Sequence, residues 1–215
     1  MCGIVGYIGL REASEFLVEG LKRLEYRGYD SAGIATLNGD TRFQVTRAVG
    51  RIQSLADKLT DAPVDGRVGI GHTRWATHGP PTEENAHPHI GGNELHALVH
   101  NGVIENYQEI KEKLISLGFE FQSATDSEVI AHLIAYHHDS LLEDNGKATR
   151  DPHEILASAV KSALAELRGT YGLVAIFREH PELIIAARLG SPLVVGVGDR
   201  EHFVASDASP LVGYT

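Results

Sequence analysis

The chain has 215 residues, which is enough for one α/β or α+β domain with a sizeable hydrophobic core. Its 19 Lys and Arg against 29 Asp and Glu give a formal net charge of −10, and without a basic run this argues against nucleic acid or an anionic membrane as a partner. The single cysteine excludes an intrachain disulfide, and no signal peptide or membrane span is apparent, so we expect a soluble, cytoplasmic protein.

The N-terminus places the only cysteine at position 2. Removal of Met1, which is usual before a small residue, would put a free α-amino group on the same residue as the thiol. The ordinary pKa values of the two groups are about 8.5 and about 8, so near neutral pH the amine can accept the thiol proton. Cys2 is therefore a candidate nucleophile. A lone cysteine is also commonly a small buried side chain, and position alone leaves both interpretations open.

The first third of the chain predicts strands separated by short helices. Leu17, Leu21 and Leu24 recur at helical spacing, which indicates an amphipathic helix. Asn38-Gly39-Asp40 is typical of a tight hairpin turn. The predicted elements are a strand at Gly3-Ile4-Val5, a helix at about 12–25, paired strands at 33–37 and 43–46, a short helix at 52–59, and a buried strand at 68–72.

A long polar loop follows, from Thr73 to about Ile90. It contains Gly79-Pro80-Pro81 and a further proline at Pro88. Loops of this length in compact domains are usually functional or disordered.

The remainder of the chain predicts helices followed by strands. Asn106 with Glu109, and Thr125 with Glu128, have the spacing of capping boxes, and Asp151 precedes Pro152 as a helix start. A strand at 95–100 stops at Asn101-Gly102, and two helices follow, one at about 106–118 and one from 125 with Val129, Ile130, Leu133 and Ile134 inward. After a surface loop at 142–150, the helix that begins at Asp151-Pro152 runs to about Leu167. The last elements are paired strands at 171–177 and 183–187, joined through His180-Pro181, and strands at 193–197 and 203–205. Strands that cluster early and late favour an α+β fold with mainly antiparallel sheets.

Several polar side chains that could bind a substrate or take part in catalysis lie at the ends of predicted strands and helices, where functional side chains are usually found. Arg74 follows the strand at 68–72, and its planar guanidinium suits a carboxylate held by two parallel hydrogen bonds. A structural ion pair accounts for one such arginine equally well. Trp75, the only tryptophan, is by default a core side chain.

Two further groups lie later in the chain. In Asn101-Gly102, a side-chain amide beside an unhindered backbone N–H provides two neutral donors, as an oxyanion hole requires. Asn-Gly after a strand is equally typical of an ordinary turn. Asp126 lies in the first turn of a predicted helix, where its charge also simply complements the helix dipole.

Twelve histidines raise the alternative of a metal-dependent hydrolase, with candidate ligands at His72, His78, His87 and His89. The sequence has no His-Glu-x-x-His segment, no carboxylate recurs at ligand spacing, and Pro88 stiffens the last pair. We therefore predict no metal site.

Several segments taken together resemble one family. They are Met1-Cys2-Gly3-Ile4-Val5-Gly6, Arg23-Leu24-Glu25-Tyr26-Arg27-Gly28-Tyr29-Asp30-Ser31-Ala32-Gly33, His72-Thr73-Arg74-Trp75-Ala76-Thr77-His78-Gly79, Asn85-Ala86-His87-Pro88-His89, His100-Asn101-Gly102 and Thr125-Asp126-Ser127-Glu128. In this order they resemble the glutaminase domain of the glucosamine-6-phosphate synthases, which are glutamine–fructose-6-phosphate aminotransferases within the class II glutamine amidotransferases.

The resemblance implies an N-terminal nucleophile hydrolase fold over residues 1–215. This is an α+β fold, a four-layer αββα sandwich of two mainly antiparallel sheets. The family continues into a sugar-phosphate isomerase domain, which we expect to be absent from this chain. Whether the last strands of the glutaminase fold are included before Thr215 is left open.

The resemblance also implies catalytic roles. Cys2 would attack the side-chain amide of L-glutamine and form a γ-glutamyl thioester, with its own amine as base and then as acid toward the leaving ammonia. Asn101 and Gly102 would hold the oxyanion, and Arg27 would lie near the nucleophile.

For substrate binding, the resemblance assigns opposite charges to the two ends of the amino acid. Arg74 would bind the α-carboxylate and Asp126 the α-ammonium, by charge-assisted hydrogen bonds of about 1.5 to 3 kcal/mol each. Thr77 and His78 would line the same pocket, and Trp75 would gate the passage for ammonia.

No metal or organic cofactor is implied. The expected partners are L-glutamine and, in the full-length protein, an isomerase domain in cis that binds fructose 6-phosphate, within a homo-oligomer. Two alternatives stay open, namely the glutaminase domain of another class II amidotransferase, and a fragment that binds glutamine without turnover.

Overall fold

The computed structural model describes residues 2–39, 42–144 and 151–215. Within these ranges the elements are β1 (Gly3–Ile8), α1 (Ala13–Leu24), β2 (Ser31–Leu37), β3 (Phe43–Val49), α2 (Ile52–Asp61), β4 (Val68–Arg74), β5 (His89–Gly91), β6 (His96–Ile104), α3 (Tyr107–Ser116), α4 (Asp126–Asp144), α5 (Pro152–Glu166), β7 (Gly169–Phe177), β8 (His180–Leu189), β9 (Val194–Val197) and β10 (His202–Ala205), with short 3-10 turns at Glu25–Arg27 and Ser209–Leu211.

The strands form two antiparallel sheets. Six strands lie in the order β3-β2-β4-β1-β10-β9 and four in the order β5-β6-β7-β8. This confirms the prediction of an α+β fold with mainly antiparallel sheets.

Three apolar cores separate four layers. One core joins α1 and α2 to the six-stranded sheet and includes Leu17 and Leu55. A second lies between the two sheets and includes Ile4 and Val174. The third joins the four-stranded sheet to α3, α4 and α5 and includes Leu133. The layers are therefore helix, sheet, sheet and helix, as predicted.

The alternation of side chains along β1 determines which face of the sheet the Cys2 side chain lies on. Ile4 belongs to the core between the sheets, whereas Val5 packs against α1. Side chains two residues apart share a face in extended backbone, so Cys2 lies on the face that looks toward the four-stranded sheet.

Most local predictions are confirmed. The helix at 12–25 is α1, and the hairpin strands pair as β2 and β3, although Asp40 in its turn lies outside the described residues. Asp151 caps α5, since its carboxylate accepts the His153 N–H at 3.0 Å. The predicted inward residues Val129, Ile130, Leu133 and Ile134 of α4 are all buried.

The predicted end of the strand at Asn101-Gly102 is wrong. β6 continues to Ile104, and both residues pair with β7, Asn101 opposite Gly172 and Gly102 opposite Tyr171. The sequence favours a turn because Asn-Gly tolerates positive φ, and Gly102 does have a φ of +145°. Here the glycine bends an extended strand that its partner continues to bind.

Both predicted capping boxes differ from expectation. The Asn106 side chain does not cap α3; it accepts the Arg168 N–H at 2.8 Å and donates to the Glu166 carbonyl. Thr125 Oγ1 accepts the Glu128 N–H at 3.4 Å, as a cap does. The Glu128 carboxylate instead accepts the backbone N–H groups of residues 122 and 123. Long-range partners thus replace the local ones.

Two predicted connections also need correction. The loop predicted at 142–150 begins later, because α4 runs to Asp144; the rest of that loop lies outside the described residues. The turn between the strands at 171–177 and 183–187 is formed by Arg178 and Glu179, while His180 already pairs within β8. No described helix is long and apolar enough to cross a membrane.

Burial keeps a group of histidines neutral and makes the fold sensitive to acid. Burial lowers the pKa of each below its usual 6.5, to about 3 for His72, His89 and His96. The folded protein therefore binds fewer protons than the unfolded chain below pH 6.5. Their stabilisation is complete above pH 6.5 and is lost as the pH falls below it. The group comprises His72, His87, His89, His96 and His100.

We expect the free energy of unfolding in urea to be lower at pH 5.5 than at pH 7.5, by about 1.4 kcal/mol for each of His72, His89 and His96, whose pKa is lowered to about 3. His96→Gln removes one such group, whose ring nitrogens have no hydrogen-bond partner in the described residues. The loss of unfolding free energy between pH 7.5 and 5.5 should be smaller in this variant than in the wild type by about 1.4 kcal/mol. An unfolding free energy that is the same at pH 7.5 and 5.5 would contradict this expectation.

Candidate active site

The pairing of β1 with β4 brings Cys2 to a loop far along the chain. Gly3 lies opposite Thr73, so the start of β1 adjoins the end of β4. The Trp75 N–H donates to Cys2 Sγ at 3.2 Å, and Sγ lies 3.5 Å from the Trp75 carbonyl oxygen. The thiol is free and partly buried.

The surroundings of Cys2 favour the protonated thiol. Burial raises the pKa of the Cys2 thiol above its ordinary value, and the Asp126 carboxylate acts in the same direction. The Trp75 N–H and the positive charge of Arg74 oppose this rise without cancelling it. Since the thiolate is the reactive form, Cys2 needs a base within reach.

Two side chains hold the Cys2 backbone from different directions. The Cys2 carbonyl oxygen accepts Arg27 Nε–H at 3.1 Å and the Asn101 amide at 3.0 Å. Arg27 is buried and forms an ion pair with Asp207, Nη1 to Oδ2 at 3.2 Å. The two residues are 180 positions apart, so no local sequence pattern indicated the role of Asp207.

Arg74 is buried and held by carbonyl groups of its own loop. Its guanidinium donates to Pro80 O and Gly79 O at 3.2 Å and also to His78 O. No carboxylate among the described residues forms an ion pair with Arg74. The alternative interpretation, that Arg74 makes a structural ion pair, is therefore wrong. Three hydrogen bonds leave at least two of its five N–H groups for a ligand.

Asp126 is the first residue of α4 and is buried. One carboxylate oxygen accepts the Ile104 N–H at 2.9 Å, and the other lies 3.8 Å from His78 Nδ1. The His78 ring packs edge-on against Tyr107 and its Nδ1 lies 3.2 Å from Thr77 Oγ1. The carboxylate thus connects β6 to the loop after β4.

Most of these residues border one small cleft, whose volume is about 20 Å³. Its lining residues are Cys2, Arg74, Trp75, Thr77, His78, His87, His100, Gly102, Thr125, Asp126 and Ser127. This volume holds about one water molecule, so the lining residues must move apart to admit a ligand as large as an amino acid. A second, wider cavity, lined partly by Arg47, Glu94 and His132, contains none of the predicted site residues.

The nine predicted site residues therefore divide into two groups. Seven line the cleft, and the other two, Arg27 and Asn101, contact the Cys2 backbone. Trp75 is not a core side chain; it is 46% exposed, with its ring edge-on to Tyr29. Sequence reasoning missed Asp207 and the contact of His72 with Asn101.

The cleft presents opposite charges that do not neutralise each other. Arg74 and Asp126 both line it, and the described residues include no ion pair between them. A zwitterion with a carboxylate and an ammonium on the same carbon matches two such charges.

The candidate metal ligands His72, His78, His87 and His89 do not form a group with metal-ligand spacing. His72 and His87 stack at a ring distance of 4.0 Å, and His87 packs against His89. Within the part of the chain that the structure describes, the one cluster with ligand spacing is His153, His180 and Glu182, on α5 and β8.

Comparison with known proteins agrees with this geometry. A family model described as a glutamine amidotransferase domain matches residues 72–213. The chain belongs to the glutamine amidotransferase domain family. Of the seven predicted site residues that line the cleft, this stretch includes all except Cys2. Cys2 reaches the cleft because β1 pairs with β4.

Relatives of this amidotransferase domain are longer enzymes. The glutamine–fructose-6-phosphate aminotransferase (isomerizing) of Bacteroides thetaiotaomicron is 50% identical over 215 residues, which is 100% of this chain and 33% of the relative. The enzyme of the same name from Pseudomonas aeruginosa is 52% identical over 207 residues, or 96% of this chain and 32% of the relative. The chain thus spans about a third of the length of the curated relatives it matches.

Solved structures share the fold. A glutamine phosphoribosylpyrophosphate amidotransferase from B. subtilis, complexed with ADP and GMP, superposes with a TM-score of 0.78 at 28% identity, over 98% of this chain and 43% of the other. A class-II glutamine aminotransferase domain protein from Silicibacter pomeroyi gives 0.60 at 17% identity, over 95% and 88%, which shows the fold alone.

Gly102 is required by its surroundings as well as by its φ. A Cβ at this position would lie 1.9 Å from the Thr170 carbonyl oxygen, whereas Gly118, with a φ of +93°, has no heavy atom within 4 Å of its Cβ position. Alanine at either position strains the backbone by about 1 to 3 kcal/mol. Gly102→Ala should therefore lower the free energy of unfolding by more than Gly118→Ala, measured in urea. Equal losses would show that the close approach to Thr170 does not matter.

Proposed function

We propose that this chain hydrolyses L-glutamine to L-glutamate and ammonia. The observation that carries the proposal is the position of Cys2 Sγ in a cleft that also contains an unpaired buried guanidinium and a buried carboxylate. Family membership supports the same substrate. We take residues 1–215 as one glutaminase domain.

The nucleophile in this proposal is Cys2 after removal of Met1. Its pKa is raised by burial, so the thiol does not ionise by itself at neutral pH. The α-amino group of the same residue takes the thiol proton as Sγ attacks the side-chain carbonyl carbon of glutamine. The resulting ammonium then gives this proton to the amide nitrogen of the tetrahedral intermediate, the C–N bond breaks, ammonia leaves and a γ-glutamyl thioester remains. Water attacks the thioester, releases glutamate and restores the thiol.

The oxyanion of each tetrahedral intermediate is held by Asn101 and Gly102. The Asn101 amide donates to the Cys2 carbonyl oxygen at 3.0 Å, which leaves its second N–H for the oxyanion. Gly102 lines the cleft and contributes a backbone N–H. A donor of this kind lowers the barrier by roughly 2.7 to 4 kcal/mol.

Arg74 and Asp126 hold the α-carboxylate and the α-ammonium of glutamine, with Thr77 and His78 as further lining. The carbonyl groups of residues 78–80 fix the guanidinium before the substrate arrives, so little side-chain freedom is lost on binding. Trp75, exposed at the cleft, is the candidate gate for the departing ammonia.

In the full-length protein we propose that the ammonia is used to make glucosamine 6-phosphate from fructose 6-phosphate. The relatives extend well beyond the region matched here and are named for that sugar phosphate. The acceptor would bind to an isomerase domain in cis, within a homo-oligomer. A cytoplasmic location stays a prediction from the sequence.

The purified chain should lack Met1 by intact-mass analysis, and Cys2→Ala should reduce ammonia release from glutamine to background, because no other thiol is present. Prior treatment of the wild type with a glutamine-like thiol alkylator should do the same. Incubation with a chelator should leave the rate unchanged.

Wild-type rates in Cys2→Ala, or an intact Met1 in an active preparation, would refute the mechanism. Loss of activity to the chelator with survival of alkylation would indicate a metal-dependent hydrolase. Glutamine binding by calorimetry without ammonia release would indicate a non-catalytic fragment.

Arg74→Lys should raise the KM for glutamine by roughly 10- to 100-fold, since a point charge replaces a fork that makes about 1.5 to 3 kcal/mol of charge-assisted hydrogen bonds. Arg47→Lys is the matched control, because Arg47 also donates to a carbonyl of this loop, Pro88 O, at 3.1 Å but lines the other cavity. Steady-state ammonia release measures both. An unchanged KM in Arg74→Lys would count against the assigned role.

A further inference from the structure

His72 contacts the predicted oxyanion residue from the side opposite Cys2. Its Nε2 lies 3.0 Å from Asn101 Oδ1 and 3.1 Å from the His100 carbonyl oxygen. Both are acceptors, so Nε2 must carry a hydrogen and share it between them. The neutral ring then has a bare Nδ1, and Nδ1 indeed has no partner in the described residues.

The Asn101 amide is consequently fixed at both ends. Its Oδ1 faces the His72 N–H, and its Nδ2 donates to the Cys2 carbonyl oxygen. Rotation of the amide by 180° would place an oxygen against the Cys2 carbonyl and an NH₂ group against a donor. Only one orientation satisfies both neighbours, and it directs the amide nitrogen toward the nucleophile.

The position of His72 is itself set by packing. It lies in β4 two residues after Ile70, which belongs to the core between the sheets, so its ring crosses to β6. The ring stacks on His87 with an interplanar angle of 16°. His87 Nδ1 accepts the His100 N–H at 3.2 Å, which anchors the stack to the strand that bears Asn101.

Burial also keeps the ring in the required state. Desolvation lowers the pKa of His72 to about 3, so the ring is neutral near pH 7. A neutral donor orients the amide without placing a competing positive charge beside the oxyanion donors.

We infer that His72 is a positioning residue for the oxyanion site, acting through its Nε2–H on the Asn101 amide rather than on the substrate. The inference rests on the proposed glutaminase function. It assigns to His72 a role in kcat and not in glutamine binding, since the residue neither lines the cleft nor contacts Arg74 or Asp126 through a hydrogen bond.

Two substitutions of His72 distinguish a hydrogen-bonding role from a role in packing alone. The amide nitrogen of Gln lies near the position of Nε2 in His, whereas that of Asn lies near Nδ1. His72→Gln should therefore keep kcat within a few-fold of the wild type. His72→Asn should lower kcat by about tenfold or more with the KM for glutamine nearly unchanged, because a misdirected oxyanion donor affects the transition state alone.

Three controls distinguish this role from a general loss of packing or of thiol reactivity. His96→Gln and His96→Asn alter an equally buried histidine outside the site and should leave kcat unchanged. Alkylation of Cys2 by iodoacetamide, which needs no oxyanion donor, should proceed alike in His72→Gln and His72→Asn. In an Asn101→Ala background, His72→Asn should cause no further loss of kcat.

Equal kcat values in His72→Gln and His72→Asn, a parallel rise of KM, or a full additional loss in the Asn101→Ala background would overturn the inference. A test without substitution is available from ¹⁵N NMR of the imidazole, which should show the Nε2–H tautomer for His72; the Nδ1–H tautomer would also overturn it. Absence of glutaminase activity in the wild type, or its survival in Cys2→Ala, would instead refute the proposed function.

Discussion

The structure depends above all on the antiparallel pairing of β1 with β4. That register places Gly3 opposite Thr73 and so delivers the Cys2 thiol to the Trp75 N–H. Because β1 lies inside its sheet, between β4 and β10, its first residues are held by hydrogen bonds on both sides. Cys2, although close to the chain end where order is normally lowest, thereby has a fixed place in the cleft.

Around Cys2, Arg74 and Asp126 are buried without an ion pair between them. Arg74 has backbone carbonyl groups as partners, and Asp126 has a backbone N–H. Buried charges need such hydrogen bonds, yet dipoles neutralise a charge less completely than a counter-ion does. The cleft therefore retains a positive and a negative group that remain available to a zwitterion.

The interior between the sheets near the cleft is polar and uses neutral histidines in place of ions. His72, His87 and His100 are all buried there and are kept uncharged by desolvation. Imidazole is well suited to this position, since one nitrogen donates and the other accepts. The rings connect β4 and the following loop to β6, and Asn101 of β6 in turn donates to the Cys2 carbonyl oxygen.

By itself the sequence determined the elements with strong local patterns, such as α1 from its apolar repeat and the Asp151-Pro152 helix start, and it identified the nine candidate site residues. The tertiary structure decided the long-range contacts: Arg27 pairs with Asp207, Asn106 binds the end of α5 instead of capping α3, and His72 lies within hydrogen-bond distance of Asn101. Local patterns fix backbone dihedrals and the buried face of an element, because these depend on neighbours a few residues apart. Contacts across the sheets depend on strand order and register, which residue types along the chain do not encode one by one.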